Sequence, residues 1–247
     1  MLFGTLTLIV AANNGFMMVD RDQATGKTTA HLADSGDYAG VLHKNVVQPF
    51  EALRAMASDA GFDLQIVSGY RSYSRQLAIW NAKAWGERPL LDDACNELEL
   101  SRLSATETMH AILRWSALPG ASRHHWGTDF DVYDAAAVDE GYKVQLVPEE
   151  TIGGGPFTPM HKWLDKILPK TDFYRPYDED CGGTCPERWH LSYRPVADLY
   201  AQKLSPTAIL STLDGVEIAL RDNITEQIEI IFQRYISLPS NTKSEKA

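Results

Sequence analysis

Ser122-Arg123-His124-His125-Trp126-Gly127-Thr128-Asp129-Phe130-Asp131 is the stretch on which the reading of this chain turns. From Asp129 to Tyr133 polar and apolar residues alternate, which predicts a strand with Asp131 on one face and Phe130 and Val132 on the other. A catalytic zinc takes three protein ligands from His, Asp, Glu or Cys and leaves a fourth position for water, so two ligands from this stretch would need a third from elsewhere. Pro186-Glu187-Arg188-Trp189-His190-Leu191-Ser192-Tyr193 supplies it. There His190 is the candidate ligand, and Glu187 is a carboxylate close enough to deprotonate a metal-bound water. Trp189, Leu191 and Tyr193 mark one face of a second predicted strand, His190 and Ser192 the other. Taken singly, a His on a strand is more often a hydrogen-bonded or surface residue, and an Asp in a loop a turn or cap. The combination in one chain carries the reading.

Outward from these segments the periodicity changes type several times. Val46, Val47, Phe50, Leu53, Met56, Ala57 and Ala60 recur at helical steps, and Gly61 ends the helix. Phe62, Leu64 and Ile66 then alternate with polar neighbours in a short strand that arrives at Ser68-Gly69. A second helix is predicted from Tyr73 to Trp85, and Ser104-Ala105-Thr106-Glu107 is a capping box that opens a third. Tyr142 to Val147 is expected to pair with the Asp129 strand across an Asp139-Glu140-Gly141 turn. Met160 to Leu168 reads as helix, Ser205-Pro206 as a cap with a first-turn proline, and Val216 to Ile236 as a long amphipathic helix. Residues 13–42 read as irregular surface chain, and Asn241 to Ala247 as a frayed polar tail. Short strands mixed with helices, without regular alternation, predict an α+β fold with a small antiparallel sheet and flanking helices.

With 247 residues and 44% hydrophobic composition the chain has the material for one large globular domain. Its net charge of -10, with no stripe of Lys and Arg, argues against a nucleic-acid partner, which needs clustered positive charge. Leu2 to Ala12 is apolar but too short to span a bilayer and lacks preceding basic residues, so a buried strand or N-terminal extension is expected there, with a degenerate export signal as the alternative. No transmembrane segment is predicted, and the protein is expected to be a monomer. Cys95, Cys181 and Cys185 are too few for a disulfide framework. The Cys181 to Cys185 spacing fits either a small loop disulfide or a pair of free thiols.

The segments His124-x-x-Gly127-x-x-x-Asp131 and Glu187-x-Trp189-His190-x-x-Tyr193, with Ser68-Gly69-Tyr70-Arg71-Ser72-Tyr73-Ser74-Arg75-Gln76 upstream, resemble the signatures of VanY-type D-alanyl-D-alanine carboxypeptidases. That wider group of zinc peptidases includes D,D-dipeptidases, lysostaphin-like endopeptidases and the hedgehog signalling domain. The similarity covers roughly residues 42–193. It implies a hedgehog/D,D-peptidase-like fold, with extra C-terminal helices in this chain, and zinc held by His124, Asp131 and His190. By the same resemblance Glu187 is the base, Arg71 pairs with a substrate carboxylate or stabilises the oxyanion, and Ser122, Gln76 and Tyr193 lie near the substrate. His124 is preferred to His125 because it alone has the motif spacing to Asp131; His31, His43, His110 and His161 are taken as structural. The implied organisation is an irregular extension over 1–42, a zinc D,D-peptidase domain over 43–203, and a helical extension over 204–247 packed on the same domain.

Two positions depart from the family pattern: Arg188 stands where a proline is common, and Asp129 where a small residue is. The resemblance implies hydrolysis of D-Ala-D-Ala-type bonds in peptidoglycan peptides, in the periplasm or cell envelope, with cytoplasmic recycling of wall fragments as the alternative. A peptidoglycan endopeptidase of the same fold and a non-catalytic zinc-containing binding module are the competing readings. Glu187 speaks against the binding module, because only hydrolysis needs a carboxylate beside the metal.

Overall fold

The computed structural model of the chain describes residues 18–237. The apolar run Leu2 to Ala12 and the tail Asn241 to Ala247 lie outside them. A short helix, α1 (Arg21–Ala24), is followed by α2 (Val47–Asp59), β1 (Leu64–Ser68), α3 (Tyr73–Ala84), and a small ribbon of β2 (Leu90–Leu91) and β3 (Glu97–Leu98). Next come α4 (Ala105–Trp115), β4 (Asp129–Asp134), α5 (Pro148–Thr151), α6 (Thr158–Ile167), β5 (Phe173–Tyr174) and β6 (His190–Tyr193). The chain continues through α7 (Arg194–Ala201), α8 (Pro206–Leu213) and α9 (Arg221–Ile231), whose last turn widens into a π-helix over Phe232–Ile236.

The predicted helix starts are set by side-chain caps. Ser72 accepts the Arg75 amide ahead of α3, Ser104 and Glu107 form a reciprocal capping box at α4, and Ser205 accepts the Ala208 amide before Pro206 opens α8. Such caps satisfy amides that the first helical turn leaves without partners. The sheet is antiparallel in the order β1-β4-β6-β5. Its central pairing sets Asp129 opposite Ser192, Phe130 opposite Leu191 and Asp131 opposite His190. Phe130, Val132 and Leu191 therefore enter a core with Phe50, Leu53, Leu64, Met160, Leu164 and Phe173, which α2 and α6 close from one side. Each such side chain stabilises the fold by roughly 1.5–3 kcal/mol through burial. The opposite face of β4 and β6 carries the polar residues.

A second core joins Trp80, Met109, Ile112 and Leu113 of α3 and α4 to Ile209, Leu213, Ile224, Ile228 and Ile231 of α8 and α9. A third gathers Val19, Ala24 and Trp126 with Val196, Ala197 and Tyr200 of α7. Residues 18–42 are thus more ordered than irregular surface chain. Trp126 donates its indole N–H to the Ala24 carbonyl at 2.9 Å, Leu32 bridges to His43, and the backbone of Gly127 packs against this segment. A Cβ on Gly127 would meet the His43 amide nitrogen at 2.7 Å, and its φ of +64 lies in the left-handed region, so glycine is required on both counts.

Two expectations are corrected. Tyr142 to Val147 forms no strand: both edges of β4 are taken by β1 and β6, and the segment wraps the Glu150 carboxylate instead. That carboxylate accepts the Gln145 and Leu146 amides and the Tyr142 hydroxyl. The last long helix begins at Arg221 rather than Val216, because side chains of α3 claim the backbone ahead of it. Asn81 donates to the Glu217 carbonyl and accepts the Ala219 amide, while Trp80 donates to the Ala219 carbonyl. Cys95, Cys181 and Cys185 are all free thiols, the second of the two alternatives for the Cys181–Cys185 pair.

His43 and His161 are buried, and burial drives the pKa of each down to about 3. A histidine kept neutral in the fold and free to charge when unfolded withdraws stability as pH falls below its unfolded value of about 6.5. Each of the two should cost about 2 kcal/mol between pH 7 and pH 5. Urea unfolding at the two pH values should show this loss, reduced by one such increment in His43→Gln; identical losses in the variant and the parent would contradict it.

Candidate active site

Asp131 and His190 are held together by sheet register. Directly opposed residues on antiparallel strands share a face, with Cβ atoms about 4.5–5.5 Å apart. Here the contact is close: His190 Nδ1 lies 3.3 Å from Asp131 Oδ1 and 3.3 Å from Glu187 Oε2. Glu187 stands on the turn leading into β6, where its own amide donates to the Tyr177 carbonyl and its carbonyl accepts the His190 amide. His124 comes from the single 3-10 turn Arg123–Trp126 that precedes β4, and its Nε2 lies 3.5 Å from Asp131 Oδ2.

One ligand atom from each of His124, Asp131 and His190 falls within 4.8 Å of the others, and all three residues are buried. Zinc bonds of about 2.0–2.1 Å in a tetrahedron separate neighbouring ligand atoms by about 3.3 Å. His190 approaches Asp131 Oδ1 at 3.3 Å and His124 approaches Asp131 Oδ2 at 3.5 Å, so the carboxylate stands between the two imidazoles at close to that spacing from each. Asp131 Oδ1 and His190 Nδ1 are buried and lack an aligned hydrogen-bond partner, as atoms reserved for a cation would be. The residues fit a divalent metal.

The remaining nitrogen of each imidazole is committed elsewhere. His124 donates from Nδ1 to the Gly69 carbonyl at 2.9 Å, which leaves the Nε2 lone pair facing Asp131. Gly69 also packs tightly, since a Cβ there would meet Val41 Cγ1 at 2.5 Å. His190 donates from Nε2 to Asp129 Oδ1 at 3.2 Å, which frees Nδ1 for the site. Hydrogen bonds of this kind fix the tautomer and ring orientation of metal-binding histidines. Asp129 is itself held by Arg123 Nε at 2.6 Å and the Thr128 hydroxyl at 2.6 Å. Arg123 in turn donates to Ser192 Oγ and Tyr174 Oη.

The electrostatics follow from this packing. Burial drives His124 down to about 3 against the pull of Asp131, so its imidazole is neutral and free to coordinate. Burial also disfavours charge on His190, but the surrounding Asp129, Asp131 and Glu187 outweigh it and hold its pKa well above the ordinary value, so a metal at Nδ1 would take the place of a proton there. For Asp129 the cost of burial is overcome by Arg123, which brings the carboxyl down to about 2. Burial raises Glu187 above the usual glutamate value, opposed by His190.

The other sequence candidates divide. Arg71, Ser122, Glu187 and the trio His124, Asp131 and His190 line one cleft of about 250 Å3. Gln76 is fully buried behind it and accepts Arg71 Nη1 at 2.9 Å, so it positions the guanidinium instead of facing the cleft. Tyr193 lies outside the lining and packs on Phe173 with ring centroids 5.0 Å apart. His125 points away from the trio, donating from Nδ1 to the Arg71 carbonyl and accepting the Gly120 amide at Nε2. His31, His43, His110 and His161 all lie outside the cleft lining.

Two contributors were not singled out from the sequence. Asp129 registered only as a departure from a family pattern, although its two-residue spacing from Asp131 on a strand already put both carboxylates on one face. Lys83 lines the cleft from α3, and its seven-residue spacing from Gln76 marks a shared helical face.

The family profile described as VanY, D-alanyl-D-alanine carboxypeptidase, matches residues 40–196. An uncharacterized protein of Haemophilus influenzae is 36% identical over 124 residues, covering 48% of this chain and 92% of its own. Among solved structures, VanYB in complex with D-alanine-D-alanine is 21% identical, with a TM-score of 0.44, covering 71% of this chain and 84% of that one. The zinc-bound vancomycin resistance D,D-pentapeptidase VanY from a VanB-type cassette is 22% identical, with a TM-score of 0.45, covering 72% and 88%.

Proposed function

Because the chain belongs to the VanY family of D-alanyl-D-alanine carboxypeptidases, we propose that it is a zinc hydrolase that releases the terminal D-alanine of bacterial cell-wall peptides. The observation that carries this reading is the meeting of His124, Asp131 and His190 within 4.8 Å, with Glu187 3.3 Å from His190. His124 Nε2, an Asp131 oxygen and His190 Nδ1 would hold the metal. Zinc bound there supplies a Lewis acid for the scissile carbonyl and lowers the pKa of water toward about 7.

Glu187 is the general base. Its buried carboxyl group, raised above the usual glutamate value, accepts the proton of the attacking water and returns it to the leaving amine. Arg71 stands across the same cleft with its guanidinium oriented by Gln76 and Ser68. Oriented in advance, it stabilises the negative charge that develops on the carbonyl oxygen or pairs with the substrate carboxylate. Ser122 offers a hydroxyl at the cleft wall. Asp129 keeps His190 in the tautomer that presents Nδ1, and Arg123 keeps Asp129 ionised. A peptidoglycan substrate assigns this work to the periplasm or cell envelope; among the described residues, no helix is long and apolar enough to cross a membrane.

The direct test is zinc analysis of the purified protein alongside D-alanine release from a pentapeptide ending in D-Ala-D-Ala. One zinc per chain with chelator-sensitive release is expected; equal turnover of the all-L peptide would contradict the assignment. Glu187→Gln should keep the metal while kcat falls by about 10^2- to 10^4-fold, and near-parental turnover would remove Glu187 from the mechanism. Asp129→Asn retains an acceptor for His190 but loses the charge, so chelator competition should show zinc affinity about 10- to 100-fold lower. Undiminished affinity would show that the carboxylate is dispensable.

A further inference from the structure

Three Arg and Lys side chains line the cleft among the described residues, and they differ in how their charge is met. Arg123 has Asp129 at 2.6 Å. Among the described residues Arg71 and Lys83 have no carboxylate within 4.0 Å, although Arg54, Arg114, Arg175 and Arg188 each have one. Arg71 at least has neutral partners in Gln76 and Ser68, whereas no hydrogen bond to Lys83 Nζ is formed within the described residues. A chain of net charge -10 has carboxylates to spare, yet two cations of this cleft stand without an ion pair among the described residues.

The position of Lys83 gives this a direction. Gln76 and Lys83 are two turns apart on one face of α3, about 10 Å along the axis at 1.5 Å per residue. Gln76 holds Arg71 beside the metal-binding trio, so Lys83 stands farther along the same cleft wall. Lys83 is half-buried, and its pKa is pulled down by burial and by Arg88, against Glu187, with Arg71 adding to the downward pull. An ammonium in that position loses hydration with only the more distant Glu187 opposing the cost and no ion pair formed among the described residues, and an arriving anion offsets that cost. Positive charge focused in a cleft also draws anionic substrates toward it.

We propose that Lys83 is a substrate-binding residue that receives a carboxylate of the substrate peptide, forming with Arg71 an anion subsite along α3. This rests on the hydrolase reading above and deepens it: the preferred substrate is an anionic peptide whose carboxylate lies on the α3 side of the scissile bond. Two carboxylates share that chemistry, the free C-terminus of the peptide and an acidic side chain within it.

Steady-state kinetics of the zinc-loaded parent, Lys83→Met and Lys83→Arg on three peptides separate them. The peptides are one ending in free D-Ala-D-Ala, the same peptide with an amidated C-terminus, and the same peptide with its side-chain carboxylate amidated. On the free peptide, Lys83→Met should raise KM about 10- to 100-fold with kcat within about twofold, and Lys83→Arg should restore most of the loss. The amidated peptide on which parent and Lys83→Met become equal identifies the carboxylate received. A KM unchanged in Lys83→Met on the free peptide, or an equal rise on all three, would overturn the proposal. If the parent cleaves none of them, the hydrolase reading fails, and binding of N-acetyl-D-alanine and its amide, followed by tryptophan fluorescence, decides about Lys83 alone. Preference for the acid that vanishes in Lys83→Met sustains the subsite; a preference that persists, or none in the parent, ends it.

Discussion

The pairing of β4 with β6 is the constraint from which the rest of the site follows. With Asp131 opposite His190, the two side chains project from the same face into a contact of 3.3 Å, and Phe130 and Leu191 enter the core on the other. A slip of one residue in either strand would reverse that strand's faces, carrying its carboxylate or imidazole into the apolar layer. The core packing of Phe130, Val132 and Leu191 against α2 and α6 therefore protects the site geometry as much as the stability. His124 depends on the same strand, because the turn that carries it runs directly into β4 through Gly127.

Around this pair the protein buries an unusual density of charge. Asp129, Asp131, Glu187, Arg123 and Arg71 all lie within or against one cleft, and each carboxylate has a stated counter-group. Arg123 compensates Asp129, and Asp129 orients His190; Asp131 lies between the two imidazoles. Buried charges are costly unless paired and hydrogen-bonded, so the linked set Arg123, Asp129, His190 and Asp131 is rigid by necessity. The rigidity suits a site whose ligand atoms must stay within tenths of an ångström of a fixed spacing.

Much of this was legible in the sequence for identifiable reasons. Helix starts at Ser72, Ser104 and Ser205 are written in single residues, because capping is local chemistry. The faces of β4 and β6 follow from alternation, and the three motifs named His124, Asp131, His190 and Glu187, which the structure brings to one cleft. What escaped depended on contacts between distant segments. Nothing local in Tyr142 to Val147 announces that Glu150 will take its amides, or that Asn81 and Trp80 will occupy the backbone before Arg221. Gln76 belongs to a motif, but its role behind Arg71 emerges only when α3 packs against α4. Tyr193 was drawn away from the cleft by Phe173, a partner on the short edge strand β5.

The central claim is that two imidazoles and one carboxylate, with no thiolate, bind a single zinc. X-ray absorption at the zinc edge of the fully loaded protein tests it most directly. Nitrogen and oxygen scatterers at about 2.0–2.1 Å with the multiple-scattering signature of two imidazoles, and no sulfur near about 2.3 Å, are the expected result. A sulfur shell would move the metal to the cysteines, and a stoichiometric zinc without imidazole scattering would take it away from His124 and His190; either contradicts the account.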